Sequence, residues 1–109
     1  MKIENVQFCT VDWNCVEPTE HPGATGKALR RTFEEGNIRV RMIEYCPGYS
    51  VDDWCGRGHV LLVLEGELVT ELSDGRKFKL TPGMSYQVAD GMSSHRSSTE
   101  KGVTFFIVD

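Results

Sequence analysis

The 109-residue chain contains no stretch approaching the roughly 20 consecutive apolar residues that a membrane helix needs. Its opening, MKIENVQFCT, has no apolar core either, so no signal peptide is expected and a cytoplasmic location is the default. Basic charge is also in short supply. Twelve Lys and Arg against 16 Asp and Glu leave a net charge of −4, whereas nucleic-acid binders usually carry a basic face. The densest basic group, Arg30, Arg31, Arg39 and Arg41, is diluted by Glu34, Glu35 and Glu44. No Cys-x-x-Cys pair occurs among Cys9, Cys15, Cys46 and Cys55, which argues against a structural zinc knuckle. In a cytoplasmic setting these should be thiols, and Cys9, Cys15 and Cys46 read as small buried hydrophobes. Amphipathic helical periodicity is missing as well.

What is present is short-period alternation with regular punctuation. IRVRMIEY (38–45) alternates, with Ile38, Val40 and Met42 on one face and Arg39, Arg41 and Ile43 on the other. HVLLVLEG (59–66) is a continuous apolar run, the pattern of a strand buried on both faces. ELVTEL follows, and SDG supplies an Asp-Gly hairpin turn before RKFKL. TPG and ADG bracket MSYQV, and VTFFIVD closes the sequence. Short strands separated by glycine-bearing turns predict an all-β sandwich or barrel. Residues 1–37 read differently. VEPTEHPGATG has no period and predicts an extended arm packed on the barrel of residues 38–109, while KALRRTFEEGN allows a short helical turn ending at Gly36. One structural domain is expected.

One segment concentrates chemistry. DDWCGRGH (52–59) places Asp52, Asp53, Cys55 and His59 within eight residues, immediately before the long apolar strand. Asp53 and Cys55 are two apart on an extended segment and share a side; Asp52 and Trp54 point the other way. Tyr86 and Val88 share a face of SYQV, and Ser97 shares one with His95.

The spacing resembles the first cupin motif: Gly48 opens it, Asp53 and Cys55 fall on its two histidine positions, His59 on its glutamate position and Gly66 on its closing glycine. The second motif begins at Gly83, with His95 on its histidine position. The chain is most similar to the small single-domain DHCW-motif cupins, through DWNCVEPTEHPG, GNIRVRMIEY, LEGELVTELSDG, GMSYQVAD and HRSST. Here Asp53 stands where that motif carries histidine. The resemblance implies a single-domain cupin jelly-roll barrel binding, and in some members transforming, a small polar molecule.

It also implies a divalent metal site from Asp53, Cys55, His59 and His95 at the barrel mouth, with Tyr86 and Ser97 as cavity-lining candidates. Thiolate, imidazoles and carboxylate suit zinc first, with iron or nickel as alternatives. With all four bound the ion is closed; with Asp53 free, one position is left for a water of pKa near 7. Two readings stand beside the metal: a metal-free binding or sensing module using the same cavity, and redox chemistry at Cys55. Small cupins commonly pair, and MKIENVQF and GVTFFIVD look like apolar-edged strands, so a homodimer is expected.

Overall fold

The computed structural model describes residues 1–109, and its regular elements are almost all strands. Its elements are a 3₁₀ turn (Trp13–Cys15) and nine strands: β1 (Thr19–Pro22), β2 (Lys27–Glu35), β3 (Ile38–Tyr45), β4 (His59–Gly66), β5 (Leu68–Leu72), β6 (Lys77–Leu80), β7 (Ser85–Val88), β8 (His95–Ser98) and β9 (Val103–Val108). Six form one sheet in the order β1-β2-β3-β9-β4-β7, and three form another, β6-β5-β8. Every pairing is antiparallel. Ile43, Leu61, Val63, Val103, Phe105 and Ile107 of the larger sheet pack with Leu68 and Leu80 of the smaller one, so the two sheets face each other across one core. No helix is long and apolar enough to cross a membrane.

The strands read from alternation at 38–45 and from the apolar run at 59–66 have those bounds. The N-terminal segment differs from its reading. KALRRTFEE is strand β2, not a helical turn, and it pairs with β3 from Ala28↔Tyr45 to Glu35↔Ile38. Glu34 and Glu35 lead directly into a tight turn at Gly36, whose positive φ lets β2 fold back on β3. Only residues before β1 resemble an arm. They run along the outside of β2 and β3, where Val6, Val11 and Trp13 meet Phe33, Ile38 and Val40 around a shallow groove. Cys9 and Cys15 are exposed there rather than buried, because this segment covers the sheet instead of entering the core.

The alternation of β3 leaves its inner face open, and the structure puts Arg41, Ile43 and Tyr45 toward the core, with Val40 and Met42 facing outward. A second difference concerns β4. On β4, Leu61 and Val63 are buried but Val60 and Leu64 stay about 40% exposed (42% and 41%), so this strand is covered on one face only. VTFFIVD is not an edge: β9 lies between β3 and β4 with both of its edges paired. MKIENVQF is not a strand. The edge-strand argument for a homodimer therefore lapses.

Gly66 ends β4 with a φ of +78°, in the left-handed region. A Cβ at this position would collide with the Gly102 carbonyl oxygen and lie 2.8 Å from Val103 Cα. Gly66→Ala is expected to cost about 1–3 kcal/mol from backbone strain, read as a lower urea midpoint at unchanged m-value. A loss below about 0.5 kcal/mol would mean that the β4–β5 turn relaxes freely.

Candidate functional site

The inward faces of β2, β3, β9, β4 and β7 line up in rows fixed by register. One row joins Thr32, Arg41, Ile107, Leu61 and Tyr86; another joins Arg30, Ile43, Phe105 and Val63. Beyond them, Asp109 extends β9 opposite Arg39, with reciprocal backbone hydrogen bonds of 2.6 and 2.9 Å. From the opposing sheet, β8 contributes His95 and Ser97. Between the sheets lies a cavity of about 190 Å³, with Arg30, Arg41, Cys55, His59, Tyr86 and His95 around an apolar floor.

The two imidazoles lie edge to face with ring centroids 4.9 Å apart. His95 is 3% exposed. Its Nδ1 lies 2.8 Å from the Ser93 carbonyl oxygen, which can only accept, so Nδ1 carries the proton. Nε2 then holds a lone pair, buried and without a partner among the protein's own groups. His59 Nε2 is 2.7 Å from the Tyr86 hydroxyl. Its Nδ1 faces the Asp109 carboxylate at 4.0 Å, which favours a proton there and makes Nε2 the acceptor of the Tyr86 O–H. Burial, with His95 beside it, brings the His59 pKa down to about 4, so the ring is neutral at pH 7. Burial also raises the Tyr86 and Tyr45 phenols, which stay protonated.

Asp109 anchors the far wall. Its side chain is 1% exposed and receives Arg39 in a forked pair, Nε–Oδ1 3.0 Å and Nη2–Oδ2 3.0 Å. Arg41 Nη2 adds a bond to Oδ2 at 3.0 Å, and Arg57 Nε approaches Oδ2 at 3.5 Å. Burial alone would raise this carboxyl. The Arg39 hydrogen bonds and the charges of Arg41, Arg39 and Arg57 outweigh burial and hold it below the usual range. Neither Asp109 nor Arg41 was singled out as a site residue from the sequence. The available signal was arginine sharing a strand face with Ile43, a pattern that buries a charge.

The four residues expected to hold a metal do not converge. His59 and His95 meet, but no three His, Cys, Asp or Glu side chains are grouped closely enough to hold an ion. Cys55 borders the cavity while remaining exposed on its other side. Its backbone pairs with His95 through bonds of 2.8 and 2.9 Å, which pins loop 51–58 against the start of β8. Asp53 is exposed and makes no hydrogen bond. The loop is held instead by Arg96, which donates to the Asp52 carbonyl at 3.0 Å and stacks on Trp54, its guanidinium 4.1 Å from the ring centroid. As folded, the donor set does not fit a four-ligand ion: Asp53 faces solvent, and His59 Nε2 is occupied by Tyr86. Tyr86 and Ser97 both line the cavity, Ser97 sharing a 2.8 Å hydrogen bond with Thr70.

No family model and no curated protein matches the chain. Solved structures do. A predicted oxalate decarboxylase from Thermotoga maritima aligns with a TM-score of 0.76 at 18% identity, covering 92% of this chain and 96% of that one. Ectoine synthase from P. lautus gives a TM-score of 0.76 at 15% identity, covering 93% and 76%. A cupin-like protein from Thermotoga maritima gives 0.69 at 15% identity, covering 78% and 69%. At such identities the likeness is one of fold. The chain is, by fold, a cupin jelly roll with its cavity between the two sheets.

Proposed function

We propose that this cupin binds a small polar molecule in the cavity between its sheets, with His95, His59, Tyr86 and Ser97 meeting the ligand directly. The observation that carries the reading is the His95 Nε2 lone pair, buried without a protein partner on a residue that lines the cavity. An unsatisfied buried polar atom costs about 1–3 kcal/mol, and a native fold retains one where a ligand completes it. The same atom can accept a proton from a bound hydroxyl or amine, with Tyr86 and neutral His59 as a second proton-sharing pair. Long-range ¹H–¹⁵N spectra of the imidazoles provide the test. His95 Nε2 should resonate as an unprotonated nitrogen and move when a screened ligand binds. A protonated Nε2 in the free protein, or a position indifferent to every ligand that stabilises the fold, would refute the proposal.

A second reading keeps a metal ion, because Cys55, His59 and His95 all border the same cavity. It requires Tyr86 to release His59 Nε2. Protein purified without chelator or polyhistidine tag is expected to carry well under one equivalent of zinc, iron or nickel. Stoichiometric metal that disappears in Cys55→Ser would favour the ion instead. Asp53→Ala is expected to leave both metal content and ligand affinity unchanged, since its side chain faces solvent.

We also propose that two copies pair through the outer face of the larger sheet. The apolar run of β4 is written for burial on both sides, yet Val60 and Leu64 are open to solvent in the single chain. Light scattering at micromolar concentration should give twice the 12.3 kDa chain mass, falling to one chain in a Val60→Asp, Leu64→Asp double variant. A wild-type monomer would remove this pairing.

A further inference from the structure

Fourteen residues line the central cavity, and none is Asp or Glu, yet two are arginines. Arg41 is 9% exposed, and its Nε is buried without a partner. Arg30, which forms no ion pair, also has a buried, unpartnered Nε. Along the neighbouring wall one carboxylate, Asp109, is shared by Arg39, Arg41 and Arg57. Three guanidinium groups thus share a single buried acid and Arg30 has none, in a chain whose overall charge is −4. Uncompensated buried positive charge is costly, and guanidinium forks match carboxylates in shape.

Opposite these arginines, across the gap between the sheets, His95 presents a lone pair that can only accept. Ile43, Leu61, Phe105 and Ile107 make the floor between the two ends apolar. The volume of about 190 Å³ lies below the range of roughly 300–1,000 Å³ usual for drug-sized ligands.

We propose that the cavity selects short organic acids that carry a hydroxyl or amino group: the carboxylate sits between Arg30 and Arg41, and the donor at the other end hydrogen-bonds to His95 Nε2. This rests on the reading of the cavity as a small-molecule site and specifies the class it takes. A carboxylate supplies the missing acceptors for both Nε–H groups, which a neutral polyol cannot do at comparable strength. Inorganic phosphate or sulfate would satisfy the arginines but leave the apolar floor and His95 without contacts.

Three matched compounds test the assignment by NMR titration of ¹⁵N-labelled protein: 4-hydroxybutyrate, butyrate and 1,4-butanediol. The arginine Nε–H and His95 ring signals report on the two ends of the cavity. 4-Hydroxybutyrate should bind most tightly and move both sets of signals. Butyrate should bind about 10-fold more weakly and move only the arginines, and butanediol should not saturate. Arg30→Gln, at a position without an ion pair, should weaken 4-hydroxybutyrate at least 10-fold while leaving the fold's amide spectrum otherwise intact. If butanediol binds as well as the acids and moves the same signals, the anion assignment fails while the small-molecule site stands. If no compound moves any cavity signal up to tens of millimolar, both fail. If both acids bind equally and His95 does not respond, the requirement for a donor group is overturned.

Discussion

Asp109→Ala is expected to destabilise the protein by about 3–5 kcal/mol, the usual loss when one partner of a buried ion pair is removed. The carboxylate is 1% exposed and holds Arg39 through both of its nitrogens and Arg41 through Nη2. Removing it leaves Arg41, itself 11% exposed at the side chain, among like charges with no acid in reach. Folded domains are stable by only about 5–15 kcal/mol, so this single change takes a large share of the total. Asp109→Asn retains acceptor geometry on one oxygen without the charge and should lose less. Urea unfolding at matched m-values measures both. A loss below about 1 kcal/mol for Asp109→Ala would show that water already solvates these guanidinium groups.

Acidification should destabilise the fold beginning well above the range where carboxylates titrate. His59 has a folded pKa of about 4, lowered by burial and then by His95, against about 6.5 in an unfolded chain. Between those values the unfolded state takes up a proton that the folded state refuses, so stability falls as pH falls from 6.5 toward 4. The full interval corresponds to about 3 kcal/mol, and partial solvent screening reduces the expectation to about 2 kcal/mol. Asp109 follows with the same sign lower down: its depressed folded pKa means its contribution is lost only as pH drops through that value. Unfolding free energies measured at half-unit steps should therefore slope upward from pH 4 to 6.5 and flatten above. In His59→Gln, which can still accept the Tyr86 hydroxyl, most of the slope between pH 5 and 6.5 should disappear, leaving the small share of His21, whose pKa is also lowered by burial and by Arg30. If the full slope persists, another group carries the acid sensitivity.

The strands at 38–45 and 59–66, and the turns after them, were legible because the first alternates, the second is a run of valine and leucine, and glycine marks each reversal. β2 was not legible, since its inward set of Ala28, Arg30, Thr32 and Glu34 contains a single hydrophobe and gives no period-two signal. β8 failed for a similar reason: HRSS reads as a polar loop, although His95 is buried and Ser97 faces a cavity that has its own polar lining. In the site, His59, His95, Tyr86 and Ser97 were recoverable from motif spacing and alternation. Asp53 was not placed correctly, because spacing along an extended segment fixes which neighbours share a side but not whether that side turns inward. The arginines were read as a group diluted by Glu34, Glu35 and Glu44, since charge counted along the sequence does not show that Glu35 and Glu44 lie on the face opposite Arg30, Arg39 and Arg41, while Glu34, paired with Arg39, is exposed beside the β2–β3 turn.

The position of β9 bears on how the molecule forms. β3 and β4 do not touch each other as partners; each is joined to the sheet's centre only through β9, with Met42 and Leu62 both opposite Phe106. A ribosome must therefore release the chain through Val103–Val108 before the central strand can be inserted, and until then two half-sheets wait with their long edges open. Such distant pairing makes for slow folding, and it leaves strand edges open to aggregation until β9 arrives. Truncations that stop short of Val103 should be recovered as aggregates rather than as a smaller soluble barrel.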